Sequence, residues 1–361
     1  MDEKAKTKEF LKKIISLPGI SGHETAVSDV IAEEWRPYTD EVKVSPVGNL
    51  YGIKKGSETK SGRTGKRLMM AVHMDGIGMT VIKISGEILY FAPIGGFDPR
   101  ILPGQRVAVH AGEGDIPGII VQLAPHLLSE PFDGKPVPLD QLVIDTGLDS
   151  ETVSRKIRVG DIISYATVPQ DLPTDCIAGH SLDNRASVAA VTQCLSELQR
   201  FNHAWDVYAV GTVQEETAFL GGHTSPMDIK PDLAIAIDVT FATGPGASGW
   251  ETAPLESGVV IGYGANLHPA LFAEIKQLCQ QLDIPHTLSP QPLMSGTDAD
   301  PIQITGAGVP TILLSIPLRY MHTPVEIISM KDVMRTGHLM AEFIARLEPE
   351  FTEKIIWEDP Q

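Results

Sequence analysis

The chain has little cysteine, no long apolar run and a deficit of basic residues, and each shortage excludes a class of protein. Its three cysteines (Cys176, Cys194 and Cys279) lie far apart, so they predict neither a disulfide framework nor a paired-cysteine zinc site. The best apolar run, Leu233 to Ile237, falls far short of the roughly 20 residues of a membrane span. With 29 Lys and Arg against 46 Asp and Glu, the formal net charge of −17 disfavours nucleic acid and anionic membranes as partners. The charged start also lacks the apolar segment of a signal peptide, so we expect a cytoplasmic protein.

The order of the predicted elements indicates one α/β domain interrupted by a β-rich insert. Between about residues 76 and 170, short β-rich runs alternate with Gly, Pro and Asp turns, which is typical of a small antiparallel or barrel-like unit. On either side of this segment, strands alternate with helices, which predicts a mixed sheet in a three-layer α/β/α arrangement. We therefore expect a discontinuous domain built from residues 1–75 and 171–361, and an inserted domain of residues 76–170.

Side chains that bind metals or protons follow the carboxyl ends of several predicted strands. In open α/β sheets these ends share one edge, and ligands bind there. Five separate segments contribute, and their candidate residues are His73 and Asp75, Asp183, Glu215 and Glu216, Asp238, and His322. The sequence therefore predicts one site at this edge of the sheet.

The residue types at this edge suit a pair of divalent metal ions. Imidazole and carboxylate are appropriate ligands for zinc, cobalt or manganese, and no thiolate is involved. Two ions about 3.5–4 Å apart need a carboxylate that spans both, and each ion then takes one histidine and one carboxylate of its own. The residues that supply this set are His73, Asp183, Glu216, Asp238 and His322. Asp75, two residues after His73 on an extended chain, is expected to hold the imidazole in its metal-binding tautomer.

Six motifs, in order along nearly the whole chain, resemble those of the dinuclear metallo-aminopeptidases. The resemblance is specific for the glutamyl or deblocking branch, whose members form tetrahedral particles and in some cases carry the older name endoglucanase or cellulase M. The motifs are HMDGIG (73–78), AGHSLDNR (178–185), TVQEE (212–216), AIDV (236–239), SGTDAD (295–300) and RYMHTPVE (319–326).

The resemblance implies a role for each site residue. The implied ligands are His73 and Asp238 for one metal, Glu216 and His322 for the other, and Asp183 as the bridge between them. Glu215 would be the general base. The fold would be that of the zinc exopeptidases, with the insert as a dimerisation domain and the dimers assembled into a dodecamer.

The implied activity is hydrolysis of the N-terminal residue from short peptides, and three alternatives stand beside it. The same metal site could serve a carboxypeptidase or an N-acyl amino acid hydrolase. An endoglucanase needs two opposed carboxylic groups and has no use for two histidines and a carboxylate bridge. A metal-binding scaffold without activity would have no use for Glu215. The preferred N-terminal residue and the choice of metal stay open.

Three further residues are candidates for contacts with the substrate. They are Thr297, Asp298 and Arg319, of which the first two could instead cap a helix. Gly76 stands where many relatives carry an acidic residue, so we expect the pocket to differ locally from theirs.

Overall fold

The computed structural model of the protein describes residues 2–57, 65–124 and 135–357, together with Gly62 and His126. The helices in this part of the chain are α1 (Glu3–Ile15), α2 (Thr25–Trp35), α3 (Ser150–Lys156), α4 (Leu182–Glu197), α5 (Glu215–Ala218), α6 (Leu220–Ile229), α7 (Pro269–Gln281), α8 (Ala299–Gln303), α9 (Met330–Arg346) and α10 (Phe351–Lys354). The strands are β1 (Glu41–Val44), β2 (Leu50–Lys54), β3 (Arg67–His73), β4 (Gly78–Ser85), β5 (Ile88–Ile94), β6 (Arg106–Ala111), β7 (Gly114–Val121), β8 (Val143–Asp145), β9 (Ile162–Tyr165), β10 (Gln170–Leu172), β11 (Cys176–Gly179), β12 (Asp206–Thr212), β13 (Leu233–Phe241), β14 (Val259–Gly264), β15 (His286–Gln291), β16 (Thr311–Arg319) and β17 (Glu326–Ser329).

Eleven of these strands form one mixed sheet. Its main path runs β1-β2-β12-β3-β13-β16-β17-β11-β10, and β14 pairs with both β16 and β15. The four central strands β12, β3, β13 and β16 are parallel to one another. Their carboxyl ends therefore meet at one edge of the sheet, which is where ligands bind in such folds.

Helices cover both faces of this sheet, and β3 shows why. Strands buried on both faces read as continuous apolar runs, and residues 68–72 of β3 are all apolar and buried. Leu68, Met70 and Val72 belong to the core shared with α1, α2, α4, α7 and α9. Met69 and Ala71 point the other way, into a smaller core with residues of α6 and α8. The predicted three-layer α/β/α fold with a mixed sheet is confirmed.

The segment between β3 and β10 contains a separate closed barrel. Its strand order is β4-β5-β8-β7-β6-β9, with antiparallel pairing throughout. It has its own apolar core, in which Val81, Val107 and Ile144 are almost completely buried. The predicted barrel-like insert is therefore confirmed as a fold, and the chain rejoins the large sheet at β10, which pairs with β11.

The cysteines and the length and composition of the helices can be compared with the sequence. Cys176, Cys194 and Cys279 are free and buried. Of the helices in the described ranges, none is long and apolar enough to cross a membrane.

Candidate metal centre

The parallel centre of the sheet brings the six principal candidate side chains together. His73 is the last residue of β3, and the register of the sheet places it opposite Thr212 at the end of β12. The chain then turns, so that Glu215 and Glu216 begin α5, while Asp238 lies in the neighbouring strand β13. Asp183 is in the first turn of α4, and His322 follows β16 by three residues.

The Asp183 carboxylate lies between the two histidines. Its Oδ1 is 3.2 Å from Nε2 of His73, and its Oδ2 is 3.4 Å from Nε2 of His322. Each histidine also has a second carboxylate. Asp238 Oδ1 is 3.7 Å from His73 Nε2, and Glu216 Oε2 is 3.3 Å from His322 Nε2. Two half-sites that share one carboxylate are the arrangement that two adjacent cations require.

Glu215 lies on the His73 side of the cluster. Its Oε2 is 3.8 Å from His73 Nε2. Donor atoms of His73, Glu215 and Asp238 all lie within 4.8 Å of one another, and the same holds for His73, Asp183 and Glu216. Distance alone is therefore compatible with Glu215 as a ligand or as a base beside the ligands.

Asp75 is fully buried beneath the turn that carries the two glutamates. Its carboxylate accepts hydrogen bonds from the backbone N–H groups of Glu215 and Glu216, both at 3.1 Å. The same carboxylate is 3.5 Å from Nδ1 of His73, whereas the backbone oxygen of Asp75 is closer, at 3.1 Å. Sequence reasoning expected the histidine contact, but it missed that Asp75 also fixes the position of both glutamates.

Glu326 is a buried side chain that sequence reasoning did not select. Its Oε1 accepts a hydrogen bond from the backbone N–H of His322 at 2.9 Å, and its Oε2 accepts one from the N–H of Asp183 at 3.2 Å. It thereby ties together the two loops whose side chains face each other across the cluster. The sequence feature that could have indicated Glu326 is its position as the last residue of the RYMHTPVE motif.

The pKa values in the cluster show that its carboxylates crowd together without enough positive charge to balance them. Burial raises the pKa of Glu215 and of Glu216, with repulsion from Asp238 and Asp183 respectively adding to it. Burial alone would lower the pKa of His322, but its contacts with Asp183 and Glu216 raise it to about 9. Protons are therefore retained where carboxylates crowd together, so a divalent cation fits the cluster and would replace them.

Removing the second acceptor of Glu326 is expected to weaken metal binding even though this residue is not a candidate ligand. An amide has one acceptor oxygen, so in Glu326→Gln one of the two N–H groups loses its partner. We expect metal affinity to fall by about 10–100-fold, the usual cost of losing support for a ligand. Competition with a chromogenic chelator measures it. Glu353→Gln, an exposed change in α10, is the matched control, and equal affinities in the two variants would contradict the assignment.

A cavity of about 390 Å³ opens above the cluster. Thr297 lines it, and its Oγ1 also accepts a hydrogen bond from Ala299 N–H at the start of α8, so both of its predicted roles stay open. Neither Asp298 nor Arg319 is among the described lining residues. Asp298 accepts a hydrogen bond from the Thr212 hydroxyl, and Arg319 Nε donates to the backbone oxygen of Thr243 at 2.7 Å.

Gly76 is enclosed by the loop that leads to α4. A Cβ atom at this position would lie 2.7 Å from Oγ of Ser181, which is closer than carbon and oxygen normally approach. An acidic side chain at residue 76 would therefore require Ser181 to move. The position of Ser181 in this chain thus depends on the glycine at residue 76.

Comparison with known proteins places the chain among peptidases. It matches the profile of the M42 glutamyl aminopeptidase family over residues 48–339. It is 34% identical over 350 residues to the lysyl aminopeptidase of Pyrococcus furiosus, covering 95% of this chain and 99% of that protein. The TET aminopeptidase from a marine sediment Thaumarchaeota archaeon has a TM-score of 0.90 at 30% identity, with 98% and 99% of the two chains covered. The TET1 peptidase of Pyrococcus horikoshii, described as assembling into a tetrahedron or a large octahedral shell, has a TM-score of 0.82 at 27% identity, with 94% and 100% covered.

Proposed function

The chain belongs to the M42 glutamyl aminopeptidase family, and from this membership and the geometry of the cluster we propose how its residues divide the work of a metal-dependent aminopeptidase. The proposed ligands are His73 and Asp238 for one metal ion, Glu216 and His322 for a second, and Asp183 between them. The observation that carries the assignment is the position of Asp183, with one carboxylate oxygen near each histidine. Glu215 is the proposed general base.

Bound divalent cations would polarise the scissile carbonyl and make a water molecule more acidic. The chain's own residues then have two tasks. Glu215, buried beside His73, takes the proton of the attacking water and later gives it to the leaving amine. Asp75 keeps Glu215 and Glu216 in place through their backbone N–H groups.

The donor set also guides the choice of metal and of substrate. Imidazole and carboxylate without thiolate favour zinc or cobalt, with manganese also suited to such a site. The proposed substrates are short peptides, and the excess of acidic residues disfavours nucleic acid and membranes as partners. The free cysteines fit a cytoplasmic location.

The alternatives are less favoured. A glycosidase would need two opposed carboxylic groups rather than two histidines converging on one carboxylate. The match over nearly the whole length with a named aminopeptidase favours that activity over a carboxypeptidase or an N-acyl amino acid hydrolase.

A substrate panel tests the proposed function. The protein would be dialysed against a chelator, reloaded separately with zinc, cobalt or manganese, and assayed on aminoacyl nitroanilides and short peptides. We expect turnover only where the N-terminus is free, so acetylated copies of the same substrates are the matched control. Turnover of the acetylated peptides or of a soluble cellulose, with none of the free peptides, would contradict the proposal.

The inserted segment of residues 76–170 is the proposed dimerisation domain, beside a catalytic domain of residues 1–75 and 171–361. Ile119 of β7 exposes about half of its surface and lies in a groove of the barrel that Val107, Pro117 and Val121 also line. Contiguous apolar surface of this kind is typical of an interaction surface. The related TET1 peptidase of Pyrococcus horikoshii is described as assembling into a tetrahedron, and tetrahedral symmetry generates a dodecamer from one kind of chain. We therefore propose that dimers of this chain assemble into a dodecamer.

Light scattering is expected to give a particle of about twelve times the 39.0 kDa of one chain. Ile119→Asp would place a charge in the proposed interface and should lower this mass. Val47→Asp introduces the same charge at an exposed apolar residue of the large domain and should leave the mass higher than in Ile119→Asp. A monomeric, active protein at micromolar concentration would contradict the assembly while leaving the metal centre untouched.

A further inference from the structure

We infer that this enzyme prefers an uncharged, apolar N-terminal residue, such as leucine or methionine, and selects against an acidic one. The inference rests on the proposed function, because it assigns the cavity above the metal ligands to the side chain of the substrate's first residue. The family is described as one of glutamyl aminopeptidases, and the Pyrococcus furiosus relative is named a lysyl aminopeptidase. Outside the proposed metal ligands and Glu215, the described lining of the cavity in this chain carries no charged side chain that would pair with either.

Beyond the ligand cluster and Glu215, the cavity wall combines four apolar side chains with four hydroxyl side chains and a glycine. Phe219, Val239, Phe241 and Met321 all contribute to it. Among the described residues of the lining there is no lysine and no arginine. A leucine or methionine side chain would leave water for apolar contacts here, whereas a glutamate side chain would lose its hydration without gaining a cationic partner.

Of the four hydroxyl groups in the wall, those of Thr217, Ser295 and Thr297 are already engaged within the protein, and the fourth belongs to Thr240. Ser295 Oγ donates to Asp300 Oδ1 at 3.0 Å, so the 2.8 Å contact between Thr297 and Ser295 uses the proton of Thr297. The Thr217 hydroxyl, also in the lining, is 3.0 Å from that of Ser21. A substrate carboxylate would therefore have to break existing hydrogen bonds to obtain a donor from Ser295 or Thr297.

The charges near the cavity also oppose an acidic side chain. Arg319 is the basic residue nearest to His322 in the sequence, yet its Nε is held by the Thr243 backbone oxygen and the residue does not line the cavity. The acidic groups that do line it belong to the ligand cluster and to Glu215. A lysine substrate would meet no further carboxylate in the described lining, so it should rank between leucine and glutamate.

The test is a ranking of kcat/KM for leucyl, methionyl, lysyl and glutamyl nitroanilides on the metal-loaded, full-length protein. We expect the leucyl or methionyl substrate to exceed the glutamyl substrate by at least about ten-fold. Phe241→Lys would place a cation on the cavity wall, where the phenylalanine is 54% exposed, and should raise the glutamyl-to-leucyl ratio by roughly ten-fold. Phe241→Gln is the matched control, since it removes the aromatic ring without adding charge and should not raise that ratio.

The outcomes separate the two claims. A glutamyl substrate turned over as well as or better than the leucyl one by the unmodified enzyme would overturn the inference and leave the aminopeptidase function standing. A lysyl substrate that exceeds the leucyl one would overturn it in the same way. If no aminoacyl substrate is turned over at all, the proposed function fails and the inference fails with it. The ranking on the unmodified enzyme decides even if Phe241→Lys does not fold.

Discussion

Replacing Glu215 with glutamine is expected to slow peptide turnover by about 10²–10⁴-fold while both metal sites stay filled. The proposed role of Glu215 is proton transfer, which a neutral amide cannot perform. The amide has nearly the same shape, so the apparent affinity for substrate should change little. Steady-state kinetics and metal content, measured on the same preparation, test both statements.

The neighbouring change Glu216→Gln is the matched control, because it makes the same chemical substitution one residue away. Glu216 is a proposed ligand, 3.3 Å from Nε2 of His322, so replacing its anionic oxygen by an amide should reduce metal content first. Added metal should then restore part of the lost activity in Glu216→Gln but not in Glu215→Gln. If Glu215→Gln loses the metal and Glu216→Gln loses only rate, the two roles are reversed. A change of only a few-fold in both variants would place the active site elsewhere.

The convergence of the candidate ligands could be predicted from sequence because it follows from strand topology. Residues 68–72 form a short, wholly apolar run that ends in His73, and the run of residues 233–237 ends in Asp238 in the same way. Such runs predict central parallel strands, and the carboxyl ends of parallel strands share an edge. The observed neighbours β3 and β13 have that arrangement. No long-range information was needed for this step.

The supporting contacts could not be predicted, because they join carboxylates to backbone groups of distant segments. Nothing in the sequence around Asp75 indicates that its carboxylate receives the N–H groups of Glu215 and Glu216, 140 and 141 residues later. Glu326 reaches Asp183 across a similar separation. Such contacts depend on the packing of whole elements, so a single sequence carries no periodic signal for them.

Strand β15 illustrates the same limit for the fold. Its sequence, HTLSPQ, has no alternation of apolar and polar residues and contains a proline. Among the described strands it pairs with β14 alone, and all six of its residues are half-buried. It therefore lies at the margin of the sheet, where burial imposes little pattern and proline is tolerated.

Removing the metal is expected to abolish turnover and to make the protein less stable as the pH rises. The proposed ligands come from five separate segments, so bound metal cross-links the edge of the sheet and its binding adds to the free energy of unfolding. Without metal, the buried carboxyl groups must hold protons instead. Burial raises the pKa of Glu216 from 4.5 to about 8, and that of Glu215 from 4.5 to about 10.

The sign of the pH dependence follows from these two groups. Between about pH 4.5 and pH 8 the native, metal-free protein keeps protons that the unfolded chain has released, so its free energy of unfolding falls as the pH rises. His322, whose pKa is raised to about 9, acts in the same direction above its ordinary value of 6.5, because the native state keeps its proton longer. The lowered pKa of Asp183 has no effect in this range, since it lies below the ordinary value of 3.8. Metal binding should remove the decline, because deprotonated carboxylates bind cations more tightly.

Calorimetry of the chelator-treated protein at about pH 5 and about pH 8, with and without added metal, measures this difference. The thermal midpoint of the metal-free protein should be several degrees lower at the higher pH, while that of the metal-loaded protein should not fall. Glu216→Gln is the control, since an amide does not titrate and the decline in its metal-free form should be smaller. Full turnover in metal-free protein would end the metal-dependent assignment. If the thermal midpoint of the metal-free protein rises between about pH 5 and about pH 8, the crowded carboxyl groups do not hold protons in the native state. The argument that a bound cation replaces those protons would then fail.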